Sequence, residues 1–323
     1  MVTYLEAIRI ALAEEMRADP RVFLLGEDIG LYGGAFKLTH DLLAEFGPER
    51  VIDTPITEAG IVGAAIGAAL MGQRPVAEMQ FIDFITNGFQ LITNFAAKCH
   101  YRWGAAVPLV IRGPVGGGVG AGPFHSQNVE AYFLHTPGLK MVAPATARDA
   151  HGLMKAAIRD PNPVLFFEHK FLYRHVKEEI GGPDGDQVAI GRAAIRRPGR
   201  ALTLVTFGAM VHRALAAAEA LAAEGIDIEV IDLRSLKPWD EGLVCDSVRQ
   251  TGKALVLHEA PQTGGIGAEY AAAIGTACFE WLDAPVERVA GLDVPVPYHP
   301  ALERAALPSV ERITERARAL ARY

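Results

Sequence analysis

Short apolar runs alternate with longer helix-like stretches along this whole chain, and that alternation limits the open folds more than any single residue does. Runs at Val22–Leu25, Val76–Met79, Pro108–Ile111, Met141–Ala143 and Val164–Phe167 have strand length. Helical stretches such as Thr57–Met71 and Ala147–Arg159 separate them. Strands spaced by helices form parallel sheets covered by helices. The pattern breaks at Lys177–Asp186 (KEEIGGPDGD), where Ile180 is the one large apolar residue. It resumes with strands at Leu202–Thr206, Ile228–Ile231, Ala254–His258 and Arg288–Ala290. Helices are expected at Val211–Ala223, Glu241–Thr251, Gly267–Trp281 and Ser309–Arg322. The expected fold class is α/β, with two three-layer domains on parallel sheets. The domains are placed at 1–186 and 187–323, with a linker over about 177–200 and about five strands in the second.

Composition narrows the partners. A net charge of -7 over 323 residues offers no basic face for nucleic acid. No apolar run approaches the roughly 18 uncharged residues of a membrane span. The N-terminal stretch carries Glu6, Glu14 and Glu15, and it reads as an amphipathic helix rather than a targeting segment. Cys99, Cys245 and Cys278 are odd in number and fit neither a zinc nor a disulfide pattern. A cytoplasmic chain with reduced thiols is the expectation.

The segment Asp53–Gly72 (DTPITEAGIVGAAIGAALMG) is the first chemical clue. Thr57 suits an N-cap, and Glu58 opens the helix where its dipole favours a carboxylate. Gly60, Gly63 and Gly67 each cost about 1 kcal/mol relative to alanine in a helix interior. A stripe without side chains permits close approach, either by a neighbouring subunit or by a helix of the same domain. Glu58 likewise has two readings, a helix-start carboxylate or a buried catalytic one.

Arg112–Ser126 (RGPVGGGVGAGPFHS) follows an expected strand. It lacks the Gly-Lys-Ser/Thr end of a phosphate loop, and Gly122-Pro123 stops the helix that a dinucleotide fingerprint requires. It reads as a long, mobile functional loop ending at His125, although a loop histidine is more often an ordinary surface residue. Turn chemistry accounts for the second cluster, Thr263–Gly267.

Seven ordered blocks then carry a resemblance: LLGEDIG (Leu24–Gly30), DTPITEAGIVGAAIGAA (Asp53–Ala69), AEMQFIDF (Ala77–Phe84), AAKCHYRW (Ala96–Trp103), FHSQNVEAYFLHTPGLKMVAP (Phe124–Pro144), AIRDPNPVLFFEHKFLYR (Ala157–Arg174) and HEAPQTGGIGAE (His258–Glu269). The chain resembles the beta subunits of the decarboxylase component of 2-oxo acid dehydrogenase complexes over essentially its whole length. The resemblance implies a transketolase-like fold, with a pyrimidine-binding domain and a C-terminal domain. It implies thiamine diphosphate as cofactor, with the diphosphate and Mg2+ held by an alpha subunit. Consistently, neither Gly-Asp-Gly nor Asn-Asn occurs in this chain. The implied assembly is two alpha and two beta chains working with a lipoyl acyltransferase core.

By the same resemblance, Glu58 is the cofactor-activating acid, Ile56 packs on the cofactor, and Phe84 stacks on its aminopyrimidine in preference to Phe81. His125 is the active-site histidine, and Glu27 matches an acid between two active sites. Some relatives also hold a monovalent cation such as K+ on backbone oxygens, here those of Val107, Leu109, Val110, Ala157, Asp160 and Asn162. Glu58 would need a water-poor setting to keep its proton. His125 suits proton handling during acyl transfer to the lipoyl thiol. The runs AEMQFIDF and FFEHKFLYR favour branched-chain 2-oxo acids over pyruvate. The alternatives are a pyruvate enzyme and a non-catalytic assembly subunit.

Overall fold

The computed structural model describes residues 1–182 and 185–323. Residues 183 and 184, inside the stretch read as a linker, lie outside the described residues. The chain forms two compact units. The first comprises Met1–Val115 and Tyr132–Ile190, and the second Gly116–Ala131 and Gly191–Tyr323. The glycine-rich loop thus belongs to the second unit, although the chain on both sides of it belongs to the first.

The first unit is built on parallel strands in the order Lys140–Val142, Val164–His169, Val110–Val115, Arg74–Glu78, Val22–Gly26 and Val51–Asp53. Strands 110–115 and 164–169 are buried at every position, as expected where helices cover a parallel sheet. The first helix, Tyr4–Ala18, opens on a capping box between Thr3 and Glu6. It lies against the Ala147–Arg159 helix, where Glu14 takes His151 and Lys155, and Glu15 takes Arg159. The second unit orders its strands Glu287–Gly291, Ala254–Pro261, Thr203–Thr206, Glu229–Asp232 and Ala194–Arg197. The last is an antiparallel edge strand.

Two segments of the stretch read as a linker, Lys177–Glu178 and Ala194–Arg197, are strands. Lys177–Glu178 pairs with Val2–Thr3, and Arg196 anchors the edge strand to Asp232. Charged residues suit an edge that must resist further pairing, and they also make it look like a connection in sequence. Among the described residues no helix is long and apolar enough to cross a membrane, and all three cysteines are buried and free.

Candidate functional site

Three adjacent parallel strands of the first unit end where the expected cofactor residues begin. Glu27 follows Val22–Gly26, Ile56 and Glu58 follow Val51–Asp53, and Phe84 follows Arg74–Glu78. Ligands of parallel sheets bind at the carboxyl ends of strands, so the topology itself gathers these residues.

Glu58 is the first residue of the Glu58–Leu70 helix and is half-buried. Thr57 occupies the N-cap position, but its side chain makes no capping bond. Its backbone (φ -161°, ψ 73°) departs from the usual cap geometry, and its hydroxyl lies beside Gly60, where a Cβ would meet Oγ1 at 2.8 Å. The neighbour that does bind Glu58 is Asn87, whose Nδ2 donates to Oε2 at 3.0 Å. Asn87 lies on the 3-10 turn Ile82–Gly88, which also carries Phe84. Gly88 brings that turn close: a Cβ there would meet Val62 at 2.9 Å. No spacing rule singled out Asn87, because the bond depends on two segments meeting. Phe81 packs edge-on against Phe36 with centroids 5.6 Å apart. Ile56 stands 83% exposed.

Glu27 is 6% exposed, and its Oε1 has no hydrogen-bond partner among the described residues. Burial pushes its carboxyl up, the nearby Glu58 adds to this, and the Thr57 amide opposes. Behind it lies a buried network absent from the sequence reading. Arg112 bridges Glu78 and Glu168, with Glu168 Oε1 at 2.5 Å and Oε2 at 2.7 Å, and the Tyr173 hydroxyl donates to Glu168 at 2.5 Å. Burial drives Glu78 upward against the pull of Arg112. Single charges inside otherwise apolar strands (VAE, VIR, FFEH) were the available signal.

The glycine stripe is only partly used inside the chain. A Cβ at Gly63 would touch Leu91 at 3.5 Å, whereas one at Gly67 would meet nothing within 4 Å. Leu70 and Met71, at the end of the same helix, are exposed.

His125 sits half-buried in the second unit. Its loop, expected from its glycines to be open, makes specific contacts. Gly116 N–H bonds to Gln127 O at 3.2 Å and closes the base. A Cβ at Gly122 would overlap the Tyr298 ring at 2.1–2.3 Å, so that glycine serves close packing. Glu130, at the end of the loop, is fully buried, and burial pushes its carboxyl up to about 7, helped by Glu259.

The segments considered for a monovalent cation do meet, through Val107 N–H and Pro161 O at 2.9 Å. Leu109 O already accepts Val164 N–H, and Ala157 O accepts Asp160 N–H. The Arg74 guanidinium reaches Asp160 O at 3.4 Å, and Lys140 reaches the Asp160 carboxylate at 2.5 Å. Val110 and Asn162 complete that set, Val110 within its strand and Asn162 with its N–H on Asp160 Oδ1. Among the described residues no group of three or more His, Cys, Asp or Glu side chains could hold a metal ion.

Comparison with known proteins adds the following. Residues 1–176 match the transketolase pyrimidine-binding domain family, and residues 191–313 match the transketolase C-terminal domain family. The 2-oxoisovalerate dehydrogenase subunit beta of Bacillus subtilis (strain 168) is 46% identical, covering 100% of this chain and 99% of that protein. The mitochondrial pyruvate dehydrogenase E1 component subunit beta-2 of Oryza sativa subsp. japonica is 47% identical, covering 98% of this chain and 85% of its own length. Among solved structures, one described as a split-gene transketolase, inactive beta4 tetramer, superposes with a TM-score of 0.81 at 25% identity. It covers 100% of this chain and 99% of its own.

Proposed function

We propose a half-site function for this chain, which belongs to the beta subunits of the thiamine-diphosphate-dependent decarboxylase component of 2-oxo acid dehydrogenase complexes. It presents one face to the cofactor and leaves the diphosphate and Mg2+ to an alpha subunit. The observation that carries this reading is the grouping of Glu27, Ile56, Glu58 and Phe84 at the carboxyl ends of three neighbouring strands. The set fits an aminopyrimidine: an exposed aliphatic side chain, an aromatic face, a helix-start carboxylate and a buried acid oxygen with no partner of its own.

When bound, thiamine diphosphate supplies the electron sink that lets a 2-oxo acid lose carbon dioxide. The chain's own residues prepare that chemistry. Asn87 occupies Glu58 Oε2, so Oε1 is the atom left to exchange a proton with a ring nitrogen. Burial and the neighbouring Glu58 push the Glu27 carboxyl up, and its Oε1 has no partner among the described residues, so it is available to a polar group of the ring. Ile56 and Phe84 exclude water from the ring. His125 handles a proton as the acyl group passes to the lipoyl arm of the acyltransferase core. The partners are an alpha subunit, as two alpha and two beta chains, and that core.

The substrate assignment is branched-chain 2-oxo acids ahead of pyruvate. It rests on the AEMQFIDF and FFEHKFLYR runs and on the full-length similarity to the 2-oxoisovalerate enzyme. The test is to combine the chain with an alpha subunit and assay 2-oxoisovalerate and pyruvate side by side, with the isolated chain as a control. Higher kcat/KM for the branched substrate is expected, and no turnover by the isolated chain. Preference for pyruvate would reverse the substrate assignment, and turnover by the chain alone would end the half-site reading.

A further inference from the structure

Two glutamates of the second unit spend their carboxylates on the loop that ends at His125. Glu259 Oε1 accepts Gly117 N–H at 2.7 Å and the Asn128 side-chain amide at 3.2 Å, joining the two limbs at the base. Glu303 takes the next stretch. Its Oε1 accepts Gly118 N–H at 2.8 Å, and its two oxygens lie 3.3 and 3.2 Å from Gly120 N. Glu303 is 4% exposed, and among the described residues no cation pairs with it. A buried carboxylate is tolerated only if donors meet its charge, and here the donors are the loop's own amides. The positive φ of Gly118 (86°) and Gly120 (69°) turns these amides toward a common acceptor, the geometry of an anion nest occupied by a side chain. The Pro300–Ala306 helix, which carries Glu303 and is capped by Leu307, also packs against the loop: a Cβ at Gly117 would meet Leu307 at 3.0 Å and Glu303 Oε1 at 3.2 Å.

We propose that Glu303, with Glu259 at the base, is a positioning residue for His125, fixing the 117–120 backbone and thereby where the imidazole stands. This rests on the reading of His125 given above. Loss of the tether leaves the loop chemistry intact but spreads the histidine over many positions, which lowers turnover more than substrate binding.

The test uses the enzyme assembled with its alpha subunit and has two arms. The first is amide hydrogen exchange. In Glu303→Ala, residues 116–127 should exchange roughly tenfold to hundredfold faster, while the Ala254–Pro261 strand is unchanged. The second is a double-mutant cycle on acyl transfer to a lipoyl domain. Glu303→Ala should lower kcat roughly tenfold to hundredfold with KM within about twofold, and should cost nothing further once His125→Ala is present. Glu303→Gln keeps the shape and one acceptor oxygen, so it should fall between wild type and alanine, and it carries the test if the alanine variant aggregates. Unchanged loop exchange, or losses that add in the double variant, overturn the proposal. Faster exchange with a silent His125→Ala supports the tether and overturns the reading of His125 instead.

Discussion

Two pairs of glutamates behave in opposite ways. In the first unit, Glu27 and Glu58 keep unspent oxygens beside an exposed isoleucine. In the second, Glu259 and Glu303 give their oxygens to backbone amides. All four are carboxylates on α/β scaffolds, three of them buried, yet only the first pair is left with bonding capacity to offer. A buried polar atom without a partner costs free energy in the resting protein, and at Glu27, beside the helix that Glu58 opens, that cost suits a group that arrives later. A satisfied carboxylate holds structure.

The sharpest way to break this contrast is at Glu58. Glu58→Gln keeps the shape and the Asn87 contact region but removes the exchangeable carboxyl. Activity should fall roughly 10²–10⁴-fold with assembly intact. Proton exchange at the thiazolium carbon of the bound cofactor is the direct readout, and a wild-type rate there would place Glu58 with the structural carboxylates.

Arg112 tests the scaffold side within the first unit. Arg112→Met leaves Glu78 and Glu168 buried without their cation, and it should cost about 3–5 kcal/mol in urea unfolding. A loss below about 1 kcal/mol would mean that the network is dispensable packing.

Glu130 sharpens the comparison by pH. Its folded carboxyl titrates at about 7, against an ordinary value of 4.5, so the folded chain holds a proton that the unfolded chain has released between those values. Stability therefore falls as pH rises through about 4.5–7 and stays lower above that window. Glu130→Gln should remove this contribution and add about 3 kcal/mol at pH 8. Parallel stability curves for the two proteins would contradict the assignment.

The smallest expected effect is at the glycine stripe. Gly67 is exposed, and a Cβ there meets nothing within 4 Å of the same chain, so Gly67→Leu adds its side chain on an open helix face. If the stripe lies at a subunit contact, dissociation of the assembled enzyme should become about tenfold easier, the overpacking expected of an added side chain in a close interface. Sedimentation showing an unaltered assembly would return the stripe to an exposed helix face.

The sequence was most informative where periodicity is local. Ala147–Arg159 and Glu241–Thr251 carry their own caps, Thr146 and Asp240, and the helices end where expected. It was least informative where a segment's shape depends on a distant one. Val51–Asp53 is three residues long and is a strand only because Val22–Gly26 pairs with it. The 3-10 turn Ile82–Gly88 and the wider π turn Leu91–Ala96 follow no single helical period, which hid Asn87. The glycines of 116–122 advertised freedom, yet Tyr298, Glu259 and Glu303 take it away. No local spacing could have revealed that, since each partner lies far along the chain.

That distance has a consequence for the order in which the protein can be made. The loop bearing His125 leaves the ribosome as part of a stretch whose flanks fold into the first unit, while its anchors arrive 142 residues later at Glu259 and 185 residues later at Glu303. At roughly 5–20 residues per second of synthesis, the second delay lasts about 10–40 s. For that interval the glycine-rich loop waits without its Glu259 and Glu303 anchors. The four positive-φ glycines, at 116, 118, 120 and 122, leave this segment little tendency to settle into a wrong structure while it waits.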